Sequence, residues 1–138
     1  MNLTDNKPHI DVTGAVIWKD GQVLITKRPE GTHLGGMWEF PGGKQKESET
    51  LELCLEREIK EELGMDIRAE KHLLTVHHEY ETKHVTLYFY NCSIVSGEPD
   101  PKEGQDIKWT STEDLGNYTF PPPDLEIIEL LISNRFRQ

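Results

Sequence analysis

The chain has 138 residues, of which 35% are hydrophobic and 29% charged; that is one domain's length, which excludes a barrel of TIM size and argues against a two-domain dehydrogenase. A mean hydropathy of -0.63, with no apolar run near the ~18 residues of a membrane span, predicts a soluble globule whose core buries roughly two-thirds of the unfolded surface. Fifteen Lys and Arg against 25 Asp and Glu give a net charge of -10, which disfavours duplex nucleic acid and anionic membranes but admits a small polyanion when divalent cations intervene.

The start, MNLTDNKPHI, has no signal-peptide core, so a cytoplasmic location is expected. Ile10, Val12, Ala15, Val16 and Ile17 form an apolar strand, Lys19-Asp20-Gly21 a turn, and Val23-Leu24-Ile25 a second strand. A glycine-rich loop follows over 31–36, then Trp38, Phe40 and the rigid punctuation Pro41-Gly42-Gly43. Residues 50–63 are helix formers without Gly or Pro; Thr50 is placed to cap the start and Gly64 to end the helix in a left-handed turn. Strands are predicted over 69–78, 84–95 and 107–110, the second rich in β-branched and aromatic residues. Pro121-Pro122-Pro123 breaks the chain before an amphipathic helix over 125–134. The order implies one domain over 1–138, a mixed α/β (α+β) sandwich. Cys54 and Cys92 lack CxxC spacing and read as reduced, part-buried thiols; Trp18 and Trp109 read as core. His77, His78, His84 and the other histidines read as surface or packing residues.

The most informative segment is Arg57-Glu58-Ile59-Lys60-Glu61-Glu62-Leu63-Gly64. Glu58, Glu61 and Glu62 stand at i, i+3 and i+4, on one helical face. At about 100° per residue, Glu62 falls near the middle of the stripe made by Leu51, Leu55 and Ile59, and Glu58 near its edge. A carboxylate facing apolar neighbours is costly unless paired or metal-bound, and three together raise one another's pKa. Oxygen-only donors favour Mg²⁺ or Mn²⁺ over Zn²⁺. A solvated Glu-rich helix is the other reading, and it fits Glu52 and Glu56, which are expected to confer solubility only.

Read from Gly43, the pattern is Gly, five residues, Glu49, seven residues, Arg57-Glu58-Ile59, one residue, Glu61-Glu62, one residue, Gly64-Met65. It matches every fixed position of the Nudix box, so the chain resembles the Nudix hydrolase superfamily. The segment from Gly36 to Lys44, with Trp38-Glu39-Phe40-Pro41-Gly42-Gly43, is similar to its MutT-type branch, which cleanses nucleotide pools. The resemblance implies the Nudix fold, a mixed β-sheet sandwiched between helices with a catalytic loop–helix–loop. It further implies that Glu58, Glu61 and Glu62 hold Mg²⁺ (or Mn²⁺) with the Gly42 carbonyl, and that Arg57 and Glu49 form a buried scaffold pair. Lys44 is a phosphate contact or a surface lysine; Arg28 matches a substrate-contacting arginine. Glu103 matches a carboxylate opposite the box helix, a metal ligand or general base, with a plain surface Glu as the other reading. The implied reaction is attack of water on the β-phosphorus of a nucleoside triphosphate, giving the monophosphate and pyrophosphate, by a monomer or homodimer.

Phe40, Tyr80 and Phe120 offer a stacking wall for a base, or are ordinary core packing. Asp124 follows Phe120-Pro121-Pro122-Pro123, where the MutT-type prototype has an asparagine that reads 8-oxoguanine. An ionised aspartate only accepts hydrogen bonds, so it repels guanine O6 and suits the exocyclic amine of cytosine; a buried, protonated Asp124 restores the purine reading. Asp124 also suits a helix cap. The expectations are therefore hydrolysis of 8-oxo-dGTP-like nucleotides, then of CTP, dCTP or a modified cytidine triphosphate. Further from the motif stand a non-catalytic Nudix base-recognition module and an ADP-ribose hydrolase.

Overall fold

The computed structural model describes residues 6–133; Asn134, the expected end of the last helix, lies outside them. The chain opens with β1 (His9–Lys19) and β2 (Gln22–Lys27). Asp20 and Gly21 between them have φ of 51° and 77°. Two successive left-handed residues make a hairpin turn whose twist matches the flanking strands, and Asp-Gly adopts it at low cost.

β1 is the spine of the sheet. Along residues 9–17 it runs parallel to β6 (His84–Ser96), at 12–14 it pairs antiparallel with β4 (Gly42–Lys44), and its last two residues pair with β2. β2 also pairs with β3 (Trp38–Glu39) and β7 (Ile107–Thr110), and β5 (Asp66–Glu79) closes the far edge against β6. Successive strand residues face opposite ways. Ala15, Ile17 and Leu24 therefore join one buried layer with Leu55, Ile59 and Leu63 of α1 (Leu51–Leu63). Val16, Trp18, Val23 and Ile25 join the other with Ile127, Ile128 and Leu131 of α2 (Leu125–Ile132). Buried on both faces, the sheet lies between the helices, the expected Nudix arrangement.

The caps of α1 are the expected ones: Leu53 N–H donates to Thr50 Oγ1 at 3.1 Å, and Gly64 (φ 68°) donates its N–H to Lys60 O. Gly42 and Gly43, expected as rigid punctuation with Pro41, instead open β4, and Trp38–Glu39 forms β3. Glycine hides a strand from propensity, yet only glycine lets β4 press on β1, since a Cβ at Gly42 would sit 1.9 Å from the Thr13 carbonyl oxygen. β5 is longer than the expected 69–78, and register shifts along it scramble the alternation that marks strand ends. Pro122–Asp124 forms a 3-10 turn leading into α2 instead of a break, because proline's fixed φ suits a first helical turn. Glu56 is not merely solubilising: its Oε2 accepts from the Ala69 N–H at 3.0 Å, tying α1 to β5. Cys54 and Cys92 are free and fully buried.

Candidate active site

α1 buries Leu55, Ile59 and Leu63, which turns Glu58 and Glu62 to the margin of that stripe beside β4. Arg57 grips Glu49 with two hydrogen bonds, Nε to Oε2 at 3.0 Å and Nη2 to Oε1 at 2.7 Å. Those bonds, with the Lys46 amide, hold the Glu49 carboxyl down to about 2. Arg57 Nη1 also reaches Glu58 Oε2 at 3.0 Å and Glu61 Oε2 at 3.1 Å, and Nη2 reaches the Lys44 carbonyl at 3.2 Å. One guanidinium thus joins the loop before the helix, the helix and β4.

Glu62 has no such partner. Burial, reinforced by Glu58, Glu39 and Glu103 and opposed by the Gly42 amide, pushes its carboxyl up to about 8. Its Oε2 is buried without a hydrogen-bond partner among the described residues. Burial also raises Glu58, against the pull of Arg57. Among the described residues no three His, Cys, Asp or Glu side chains stand together as a metal-binding group; Glu58 and Glu61 are turned to Arg57. The donor set nonetheless suits a hard divalent cation. Every donor is oxygen, and a buried carboxylate oxygen without a partner is the group that a positive charge would most relieve.

The loop after β6 is stitched to the end of α1. Asp100 N–H donates to Leu63 O at 2.9 Å and Lys102 N–H to Glu62 O at 3.0 Å, using carbonyls that a helix end leaves without intrahelical partners. Glu103 is thereby held near enough for its charge to act on Glu62. It is exposed, and with Arg28 and Gln105 it lines a small cavity of about 170 Å³.

A larger cavity, about 260 Å³, is lined by Arg28, Glu39, Phe40, Gly42, Lys44, Glu62, Tyr80 and Asp124, among others. It joins the carboxylate helix to the candidate base readers. Asp124 stands at the N-cap position of α2, as the sequence allowed, but it is 5% exposed and its side chain makes no cap hydrogen bond. Burial and the nearby Glu39 drive its carboxyl up to about 8, Arg28 opposing. Phe40 lines the cavity and stacks on Phe120 at 5.5 Å; Phe120 lies behind it in the core and not on the cavity wall. Tyr80 lines the cavity and meets the His33 ring edge-on at 5.0 Å.

Among the lining residues to which the sequence assigned no site role are Glu39, Lys83 and His33. Glu39 accepts from Arg28 Nη1 at 3.0 Å, and burial raises its carboxyl. An acid between Trp38 and Phe40, beside an arginine at the end of β2, was the available signal, but it needs the β2–β3 register to be seen. His33, placed among surface or packing histidines by the sequence, instead stands at the cavity in the loop after Arg28, where Leu34 adopts a left-handed φ of 59°. Trp18 and Trp109 pack in the two apolar layers as expected.

A sheet between two helices, with an acid-bearing helix packed on a Gly-Gly strand, defines a Nudix hydrolase. The chain belongs to the NUDIX domain family, whose profile matches residues 12–130. The 8-oxo-dGTP diphosphatase of Proteus vulgaris is 41% identical over 102 residues, 74% of this chain and 90% of that protein. The CTP pyrophosphohydrolase of Escherichia coli is 29% identical over 126 residues, 91% of this chain and 93% of that protein. The crystal structure of a MutT protein from Methanosarcina mazei Go1 superposes with a TM-score of 0.84 at 26% identity, over 96% of this chain and 99% of that one.

Proposed function

We propose that this chain, working as one domain, hydrolyses oxidised nucleoside triphosphates such as 8-oxo-dGTP to the monophosphate and pyrophosphate. The observation that carries the reading is a single cavity lined by Glu62 at the carboxylate helix and by buried Asp124. The triphosphate would lie toward Glu58, Glu61, Glu62 and the Gly42 carbonyl, which would hold the cation, with Lys44 and Arg28 as further contacts. Bound Mg²⁺ (or Mn²⁺) would supply neutralisation of the triphosphate and a lower pKa for the attacking water. Glu103 would take up a proton from the attacking water or add an oxygen to the ligand set, and the Arg57–Glu49 pair would keep the helix in place. The base would stack on Phe40 and Tyr80 beside Asp124. Held neutral up to about pH 8, Asp124 can donate one hydrogen bond and accept another, which suits guanine O6 and N1–H together.

One observation favours a second substrate, a cytidine triphosphate. Ionised, Asp124 would accept from an exocyclic amine, and a CTP pyrophosphohydrolase is among the relatives. A cytoplasmic place and a monomer or homodimer fit a small acidic chain in which no described helix is long and apolar enough to cross a membrane.

Steady-state turnover of a nucleotide panel tests both readings. The expected result is that 8-oxo-dGTP leads CTP and dCTP by roughly tenfold in kcat/KM. EDTA should stop turnover, and Glu62→Gln should lower kcat by roughly a hundredfold while leaving thermal unfolding unchanged or raised. CTP or dCTP in first place replaces the guanine reading, and no turnover of any nucleotide leaves a base-recognition module.

A further inference from the structure

Of the β1 residues that face α1, Ala15 and Ile17 belong to the apolar layer. Thr13, next in the same row, is polar and only 1% exposed. A hydroxyl placed there loses water, and specific hydrogen bonds must offset that loss. Thr13 Oγ1 donates to the Gly43 carbonyl at 3.2 Å and lies 3.5 Å from Cys54 Sγ. The thiol is itself 3.7 Å from the same carbonyl and 3.9 Å from Arg57 Nη2. Thr13 also stands opposite Gly43 in the β1–β4 ladder.

The strand they touch is held through its backbone, by the ladder to β1 and by Arg57 on the Lys44 carbonyl, more than by its own side chains. β4 spans three residues, two of them glycine, so it packs few side chains and loses the most backbone entropy on ordering. The site nonetheless requires it to be placed closely. Glu58 rests on Gly43 so tightly that a Cβ there would fall 2.0 Å from Oε1, and the neighbouring Gly42 carbonyl is one of the proposed cation donors. A strand with so few side chains of its own takes its exact placement from such neighbours.

We propose that the Thr13 hydroxyl, seconded by the Cys54 thiol, is a positioning group for the cation site: it pins the Gly43 carbonyl and so fixes both the Gly42 carbonyl and the seat of Glu58. The inference rests on the reading of Gly42, Glu58, Glu61 and Glu62 as cation donors. Thr13 acts through β4, and its loss should be felt first in cation binding rather than in nucleotide affinity.

The test is a Mn²⁺ titration of the full chain without nucleotide, followed by the resonance of the free ion, together with kcat and KM. Thr13→Val keeps the volume and removes the hydroxyl; it is expected to weaken Mn²⁺ binding and lower kcat, each by about fivefold, with KM for the nucleotide nearly unchanged. Thr13→Ser should restore both. Wild-type Mn²⁺ affinity in Thr13→Val, or an undiminished loss in Thr13→Ser, overturns the proposal. If Thr13→Val does not fold, Cys54→Ala carries the test: about twofold weaker Mn²⁺ binding is expected, and unchanged affinity overturns it. Failure of the unaltered protein to bind Mn²⁺ removes the cation reading and this inference together, whereas intact binding in the protein and in both variants removes this inference alone.

Discussion

Burial and the Glu39 carboxylate keep a proton on Asp124 until about pH 8, so the side chain there behaves as a neutral amide-like group under neutral conditions. The chemical difference from asparagine then appears only where Asp124 ionises. Asp124→Asn should therefore leave the ranking of 8-oxo-dGTP over CTP nearly unchanged at pH 6.5, and raise it several-fold at pH 9. Relative kcat/KM at the two pH values is the measurement. An identical ranking for both proteins at both pH values would detach Asp124 from the base. Glu39 belongs in the same account: it lines the cavity, pairs with Arg28 and sets the charge that Asp124 feels.

At the scale of elements, α1 matters through both ends. Its start is closed by Thr50, and its last carbonyls receive the loop that carries Glu103. The two caps should therefore differ in function though not in stability. Thr50→Ala removes one side-chain acceptor and should cost about 1 kcal/mol in urea unfolding with kcat intact. Gly64→Ala meets an unfavourable φ and the Lys102 side chain at 3.1 Å; it should cost about as much and also lower kcat, since Lys102 shares the loop with Glu103. Equal kcat in the two variants would mean that the loop attachment is not needed for turnover. Thr50 and Gly64 were legible because caps are local chemistry. β4 was not, because its two glycines carry no pattern and its existence depends on β1 lying beside it.

For the whole molecule, two acids held protonated set the pH dependence. Glu62 and Asp124 have folded pKa values raised to about 8, while their unfolded values are those of ordinary carboxylates. Between those limits the folded state binds more protons than the unfolded one, so unfolding free energy falls as pH rises from about 4 to about 8. The paired Glu49, held down to about 2, acts in the opposite sense, its contribution being lost only in strong acid. Urea unfolding of the cation-free protein at pH 5 and pH 8 should show the decline, up to about 1 kcal/mol per pH unit for the buried Asp124. Asp124→Asn should remove its share of the slope and leave that of Glu62. A stability that rises over that interval would contradict the buried, protonated state of both acids.

The sequence by itself determined the family, the helix with its caps, the hairpin turn and the acids of the box, because spacing along a helix and the φ preference of Asp-Gly are local properties. Only the tertiary structure decided that Glu62 and Asp124 share one cavity, that Phe120 backs Phe40 instead of lining the wall, and that Glu39 and His33 line that cavity. Those facts depend on strand register and on what buries what. Desolvation, the largest cause of the shifts at Glu62 and Asp124, does not exist until the sheet has closed over them.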